Sequence, residues 1–355
     1  MRLSVSLLAW LATLCAAKDA GQPSPFYSPS ALIEALPVFY DISDVNLVEA
    51  NHALDSFWAV NYIRTTNNRS FLLNVNALVR NGSATQRAGI MSLDNPSVPY
   101  PKNYQNVGQV KNNNGTLDPF NLTMPGGRFG LETTGQGAAS SSKEAVLPPM
   151  RIFSHHPGTE FDIDLDFQGP VLLNAGLGSW RWGGGIQHQV SLPEARPRGT
   201  FVVDNITLTI DPRHSVTWYD RQWGPTQPDH FTWFGLYLTD KTGTESYISI
   251  WDWEDEINGN KTFVTMLDQD GANTALPVLD FQRSTDNVFH SKATGVTYVL
   301  QHNITLADGS ELIVTAAQPD QEYVMDGTTV GFYSGYVEVS GDYMGHGAMD
   351  IMPPM

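Results

Sequence analysis

Strict two-residue alternation of apolar and polar side chains, repeated in many short runs, constrains this chain more than any other feature. Phe161-Asp162-Ile163-Asp164-Leu165-Asp166-Phe167 alternates without error, and that period puts every apolar side chain on one face of an extended strand. Thr200 to Ile210 reads as two short strands about Asp204-Asn205. Phe231 to Leu238, Tyr247 to Trp253 and Lys261 to Leu267 continue the pattern. Thr297 to Leu306 and Glu311 to Ala316 flank Ala307-Asp308-Gly309-Ser310, a hairpin signal. Gly331 to Ser340 closes the series. Helical periodicity is weak and confined to Ser30 to Leu36 and Val48 to Phe57. Such a chain is expected to be all-β, an antiparallel sandwich or barrel rather than an α/β fold.

The length exceeds what one small barrel needs, so two β-domains are expected, residues 18–197 and 198–355. The division falls at Leu192-Pro193-Glu194-Ala195-Arg196-Pro197-Arg198, where two prolines interrupt any strand. Asn112 to Pro149, rich in Gly, Ser and Asn, reads as loops.

Residues 1–17 read as a secretory signal, with Arg2 as the positive end, Leu7 to Leu14 as the apolar stretch and Cys15-Ala16-Ala17 as the cleavage site. The apolar stretch is too short to span a bilayer and no later segment replaces it, so stable membrane insertion is not expected. Cys15 is the only cysteine and leaves with the signal. Thiol nucleophiles, disulfides and thiolate metal sites are thereby excluded from the mature chain. Seven Asn-x-Ser/Thr sequons, at Asn68, Asn81, Asn114, Asn121, Asn205, Asn260 and Asn303, point to a glycosylated protein of the secretory route, secreted or vesicular. The formal charge is −17, and loss of Arg2 makes it one unit more negative. That balance opposes nucleic-acid binding and says nothing about substrate.

Function is concentrated in Trp218-Tyr219-Asp220-Arg221-Gln222-Trp223-Gly224. In an extended segment Trp218, Asp220 and Gln222 share one face, and Tyr219, Arg221 and Trp223 the other. A carboxylate against an aromatic wall has a raised pKa and serves as a general acid. The competing reading is that Asp220 pairs with an arginine inside a barrel. Arg221 reads equally as an ion pair closing a barrel end or as a substrate contact.

The runs Ser179-Trp180-Arg181-Trp182-Gly183-Gly184-Gly185, Ser191-Leu192-Pro193 and Trp218 to Gly224, with Asp55-Ser56-Phe57-Trp58 and Gly169-Pro170-Val171-Leu172-Leu173-Asn174 upstream, resemble the carotenoid hydratase CrtC/AttH-like superfamily. The likeness covers nearly the whole mature chain and is most specific at the Trp-Tyr-Asp-Arg-Gln-Trp-Gly run. It implies two lipocalin-like β-domains with a ligand cavity at or between them. Fungal branches of the superfamily include kievitone-hydratase-like proteins and hetero-Diels–Alderases, and both of these resemble this chain in carrying a signal. By the same resemblance Trp218, Tyr219 and Asp220 occupy the proton-donating positions. His188 lies near a position where the family carries an aromatic or histidine wall residue, so it reads as a proton relay or as a structural histidine.

Burial among Trp218, Trp223 and Trp233 would keep Asp220 protonated, and indole faces would stabilise a developing cation. Trp58, Trp182 and Trp233, with Trp180, Trp251 and Trp253, read mainly as core, some doubling as pocket wall. The expected substrate contacts are Trp58, Trp182, Trp218, Arg221, Gln222, Trp223 and Trp233, with Asp220, Tyr219 and His188 as the reacting groups. No metal site is expected: Asp162, Asp164 and Asp166 read as a solvated strand face, and the adjacent His155 and His156 point apart. No dinucleotide fingerprint, Walker loop or nucleophile elbow is present. His346, between Gly345 and Gly347, reads as an exposed turn residue.

Three functions stay open on these residues. One is a cofactor-free dehydratase and hetero-Diels–Alderase joining a polyketide- or tropolone-type diene to a terpene. The second is a hydratase acting on a prenyl-type alkene. The third is a carrier of an apolar metabolite.

Overall fold

The computed structural model describes residues 53–95, 97–109, 121–134, 147–182, 184–225, 228–254 and 259–354. The signal segment, the pattern at Ser30 to Leu36 and the sequon Asn114 lie outside them. Thirteen strands form the first sheet: β1 (Leu54–Arg64), β2 (Ser70–Arg80), β3 (Ser83–Ser92), β4 (Lys102–Gln109), β5 (Asn121–Thr123), β6 (Phe129–Thr133), β7 (Met150–Ser154), β8 (Phe161–Phe167), β9 (Leu172–Leu173), β10 (Ser179–Trp182), β11 (Gly185–Val203), β12 (Ile206–Thr209) and β13 (Val216–Gly224). Its order is β4-β3-β2-β1-β13-β11-β8-β7-β6-β5, with β9, β10 and β12 pairing onto β11. It curls into a half-barrel.

The second sheet contains β14 (His230–Asp240), β15 (Glu245–Glu254), β16 (Lys261–Leu267) and β17 (Asn273–Arg283). A separate ribbon of β18 (Val288–His290) and β19 (Thr297–Val299) follows. The sheet then resumes with β20 (Gln301–Leu306), β21 (Glu311–Ala316), β22 (Glu322–Val324), β23 (Gly331–Gly341) and β24 (Tyr343–Met352). Pairing of β21 with β23 closes eight of these strands into a lipocalin-like barrel.

The alternating runs become strands nearly where expected. Phe161–Phe167 is β8 and Lys261–Leu267 is β16. Asp204 and Asn205 turn with φ of 53° and 61°, the two positive angles that a tight hairpin needs. Four expectations change. The chain passes from the first sheet to the second between Gly224 and His230 rather than at residue 197. Pro193 and Pro197 sit inside the 19-residue β11. Pro193 falls in the bulge between Leu192 and Ala195, and Pro197 lies beyond the last residue paired with β13, so neither interrupts the ladder. Leu54 to Phe57, part of the weak helical pattern, opens β1. Within the loop-like stretch, residues 121–123 and 129–133 form β5 and β6. His346 lies within β24, half-buried, with its ring stacked 5.3 Å from that of Tyr237.

Three apolar clusters result. One fills the half-barrel, around Phe57, Phe129, Phe167 and Tyr219. Another fills the closed barrel, around Phe234, Ile250, Tyr298 and Tyr333. The third lies between the two sheets and holds Trp58, Trp180, Trp182, Trp218, Trp233, Trp251 and Trp253. Strands β1, β13, β14 and β15 are therefore buried on both faces, and their odd and even residues serve different cores. The barrel depends on β24 lying flat on β14. A Cβ on Gly345 or Gly347 would overlap the carbonyl oxygen of Tyr237 or Gly235 respectively. Gly347→Val is expected to destabilise the fold by about 3 kcal/mol through overpacking, measured as a shift in the urea midpoint.

Candidate active site

The expected face assignment of the Trp-Tyr-Asp-Arg-Gln-Trp-Gly run is what β13 adopts, and it divides the expected site in two. Trp218, Asp220 and Gln222 face the indole layer between the sheets. Tyr219, Arg221 and Trp223 face the half-barrel core. Tyr219 packs on Phe167 with ring centroids 5.0 Å apart. Arg221 is fully buried in an ion pair with Asp55 and lies 4.3 Å from the centre of the Phe57 ring. Trp223 stacks on His188 at 5.3 Å, and the Nδ1 of His188 shares a hydrogen bond of 2.7 Å with the Ser179 hydroxyl. The structure thus separates Tyr219, Arg221, Trp223 and His188 from Asp220 by the thickness of the sheet. The period-two rule that places Asp220 on the cavity is the one that removes them from it.

Asp220 is buried among neutral donors. Trp218 Nε1 donates to its Oδ1 at 2.8 Å and Gln189 Nε2 to its Oδ2 at 2.7 Å. The Ser191 hydroxyl, directly across the ladder, also bonds to it. Among the described residues no arginine or lysine pairs with it. Burial outweighs the donors and pushes its carboxyl up to about 7. A second tier holds the first. Asn174 Nδ2 donates to Ser191 Oγ at 3.0 Å, Ser249 Oγ donates to Asn174 Oδ1 at 2.6 Å, and Trp233 Nε1 donates to Ser249 Oγ at 3.0 Å. This chain runs from the barrel to the carboxyl without leaving the protein interior.

The cavity that Asp220 faces lies between the sheets. Trp58, Trp182, Phe231, Trp233, Trp251 and Phe332 supply its apolar wall, and Asn76, Arg87, Gln189, Gln222 and Asp350 line its polar part with Asp220. Trp58 meets Trp233 edge to face at 4.8 Å, and Trp182 meets Trp251 at 4.7 Å. About 60 Å³ is open to the centre of a water molecule. Leu78, Thr85, Tyr104 and Phe332 are shared with an outer, largely apolar groove of about 550 Å³ on the same measure. A deep acidic end with an apolar vestibule suits a greasy molecule that presents one reacting group inward.

Trp58, Trp182, Trp233, Gln222 and Asp220 are thus brought together, and Trp218 acts on Asp220 from beside them. Gln189, Phe231, Phe332, Arg87 and Asp350 were not foreseen. Gln189 was legible, since it alternates with His188 and so faces opposite to it. The acidic strand face on β8 is tied up by arginines: Asp162 bonds Arg151 at 2.7 Å and Asp166 lies 3.7 Å from Arg198. Among the described residues no three ligating side chains gather as a metal site.

A family model described as AttH-like matches residues 123–352. The chain belongs to the AttH-like family. It is 25% identical over 350 residues to kievitone hydratase of Fusarium solani subsp. phaseoli, covering 96% of this chain and 93% of that one. Against dehydratase asqC of Emericella nidulans it is 29% identical over 203 residues, 55% of this chain and 57% of the other. The crystal structure of kievitone hydratase from Nectria haematococca superposes with a TM-score of 0.76 at 27% identity, over 90% of this chain and 94% of that one.

Two outcomes follow from the geometry. Asp55→Ala removes the carboxylate that neutralises Arg221 in the half-barrel core, with an expected loss of about 3–5 kcal/mol in urea unfolding. Asp220 behaves oppositely. Its folded pKa lies above the unfolded value of 3.8, so the native state holds its proton more tightly. Stability is then lost as pH rises from about 4 through 7. Asp220→Asn is expected to be more stable than the native protein at pH 8, by up to about 4 kcal/mol. The advantage should vanish by pH 3, as checked by thermal melts across pH.

Proposed function

We propose that this protein is a cofactor-independent enzyme of fungal secondary metabolism. It dehydrates a benzylic-type alcohol to a quinone-methide-like heterodiene and holds that species for hetero-Diels–Alder addition to a terpene alkene. The observation that carries this reading is Asp220, a buried carboxyl able to hold its proton near neutral pH at the indole-walled end of a cavity. Its proton passes to the departing hydroxyl oxygen as the C–O bond breaks, and water leaves. The indole faces steady the positive charge that develops on carbon. The cycloaddition needs orientation in a dry site rather than further groups, a contribution of up to about 7–11 kcal/mol in the most favourable systems. The adjoining groove is large enough to hold a second apolar reactant against the first.

A hydratase reading is favoured by one observation, the match to kievitone hydratase along nearly the whole chain. It uses the same acid at carbon instead of oxygen: Asp220 protonates an alkene carbon, water adds to the cation, and the proton lost by the added water returns to the Asp220 carboxylate.

The test offers purified protein 2-(hydroxymethyl)phenol or a hydroxymethyl tropolone with a terpene alkene in ¹⁸O-water. An adduct in enantiomeric excess without solvent oxygen is expected. A hydrated alkene carrying ¹⁸O would move the assignment to hydratase, and binding without turnover would make the protein a carrier. Asp220→Asn is expected to lower the rate 10²–10⁴-fold with binding nearly intact.

We also propose that the chain enters the secretory route and is glycosylated. Asn68, Asn81, Asn121, Asn205, Asn260 and Asn303 are all exposed, as that reading requires. Enzymatic deglycosylation of the protein recovered from culture medium should lower its mass in steps.

A further inference from the structure

The cavity holds a second carboxylate that the dehydration scheme above leaves unused. Asp350 stands on β24 of the barrel, in register with Trp233, and lines the cavity together with Asp220 of the opposite sheet. It is largely buried, with 8% of its surface exposed. Arg87 of β3 reaches it across the domain interface, Nη1 to Oδ1 at 3.2 Å and Nη2 to Oδ2 at 3.4 Å. Arg87 is itself held by Asn76 Oδ1 at 3.4 Å and by the Phe332 ring, whose centre lies 3.9 Å away. Ser334, fixed by Asn74, bonds the carboxylate from β23.

Two carboxyls in one cavity with contrasting partners differ in protonation. Asp220 has only neutral donors and keeps its proton most readily. Asp350 is also raised by burial, but Arg87 opposes that and favours its ionised form. The contacts between Arg87 and Asp350 exceed the 2.7–2.9 Å usual for a tight charge-assisted pair. The carboxylate therefore retains accepting capacity toward the cavity.

We infer that Asp350, poised by Arg87, is the base that works opposite Asp220 in the same reaction. This rests on the dehydration reading. As Asp220 delivers its proton to the leaving hydroxyl and the C–O bond breaks, the phenolic O–H of the substrate breaks and its proton goes to Asp350. The oxygen electron pair becomes the new carbonyl of the quinone methide. One water is released, one proton has left Asp220 and one has reached Asp350. Transfer of that proton back to Asp220 through water in the cavity restores the starting state. In the reverse direction the ionised Asp220 takes a proton from the attacking water and protonated Asp350 returns its proton to the carbonyl oxygen.

The charged and titratable groups around Asp350 are Arg87 from β3, Asp220 from β13, Tyr104 from β4 and Tyr323 from β22, the two phenols packing against Arg87. Burial raises the Tyr323 phenol, and we assign the two limbs of the rate to the two carboxyls. The native protein is expected to give a bell: the acid limb falls as Asp350 gains a proton, and the alkaline limb falls as Asp220 loses its own.

The experiment follows exchange of ¹⁸O from water into 2-(hydroxymethyl)phenol, which reports reversible dehydration without a second reactant. Asp350→Asn should lower exchange at least 10²-fold and abolish the acid limb. Because that variant strands Arg87, the double variant Arg87→Leu/Asp350→Leu is measured beside it. It removes both charges at similar volume and is expected to fold. If the double variant melts like the native protein and stays inactive, Asp350 is the base. Recovery in the double variant to within tenfold of native exchange, or an acid limb that survives in Asp350→Asn, would reduce the pair to an interdomain latch and overturn the inference. Absence of exchange and of adduct in the native protein itself would remove the dehydration reading, and this inference with it.

Discussion

A strand covered on both faces leaves little side chain to water, and β13, buried but for the half-buried Val216 and Gln222, is such a strand. Its odd residues must satisfy the half-barrel core and its even residue positions the layer between the sheets. Seven consecutive residues that look like one cluster in the sequence therefore act as two. Tyr219, Arg221 and Trp223 hold the half-barrel together, where Arg221 is tolerable only because Asp55 meets it inside the core. Trp218, Asp220 and Gln222 belong to the cavity. A one-residue slip of β13 against β1 and β11 would exchange the two sets, putting the ion pair in the cavity and the acid in the core. The register Trp58↔Asp220↔Ser191 thus decides which side chains face the cavity.

The electrostatics of Asp220 turn on a contest between burial and hydrogen bonding. Three donors stabilise the ionised form, each by about 1.5–3 kcal/mol for a charged acceptor. Loss of hydration in a wall of indoles works against them and wins, since the carboxyl ends near 7. Replacing any neutral donor by a cation would offset much of that rise, because a guanidinium at contact distance lowers a carboxyl by one to three units. The second tier through Asn174, Ser249 and Trp233 therefore matters for more than geometry. It fills the polar positions around the acid with neutral groups, and it ties them to the barrel so that the carboxyl stays oriented as the two domains pack.

Much of this was legible in the residues, and the limits have physical causes. Error-free alternation in Phe161–Phe167 and the turn pair Asp204-Asn205 give local signals strong enough to survive tertiary context. Asp220 was legible because a carboxylate between indoles has few other uses. The last strand was not: Tyr343–Met352 carries two glycines that weaken any pattern, although they are what let β24 lie against β14. With β24 unseen, Asp350 had no face assignment, and its pairing with Arg87, far away in the chain, had no local signal. The domain boundary was misplaced for a related reason. Prolines normally end strands, but a bulge and a change of partner let β11 run through both. Which face of β13 meets the ligand could not be read locally at all, because both faces are apolar when both are buried.

The acid cannot decide the direction of the reaction. On the reading proposed above, a group that speeds loss of water speeds its return by the same factor, Asp220 then acting as base on the reverse path. Direction must come from what the cavity admits and what removes the product. The inner space has room for a few water molecules beside the acid, which is adequate for either. The difference lies in the vestibule. An apolar groove several times larger, sharing Leu78, Thr85, Tyr104 and Phe332 with the inner cavity, can keep an unsaturated partner next to the reacting carbon and displace water from it. On the proposed reading, an electrophile formed at Asp220 would meet carbon before water when that groove is filled. When it is empty, the returning molecule is water and the net change is exchange. On that reading, shape complementarity in the groove selects between addition to carbon and return of water.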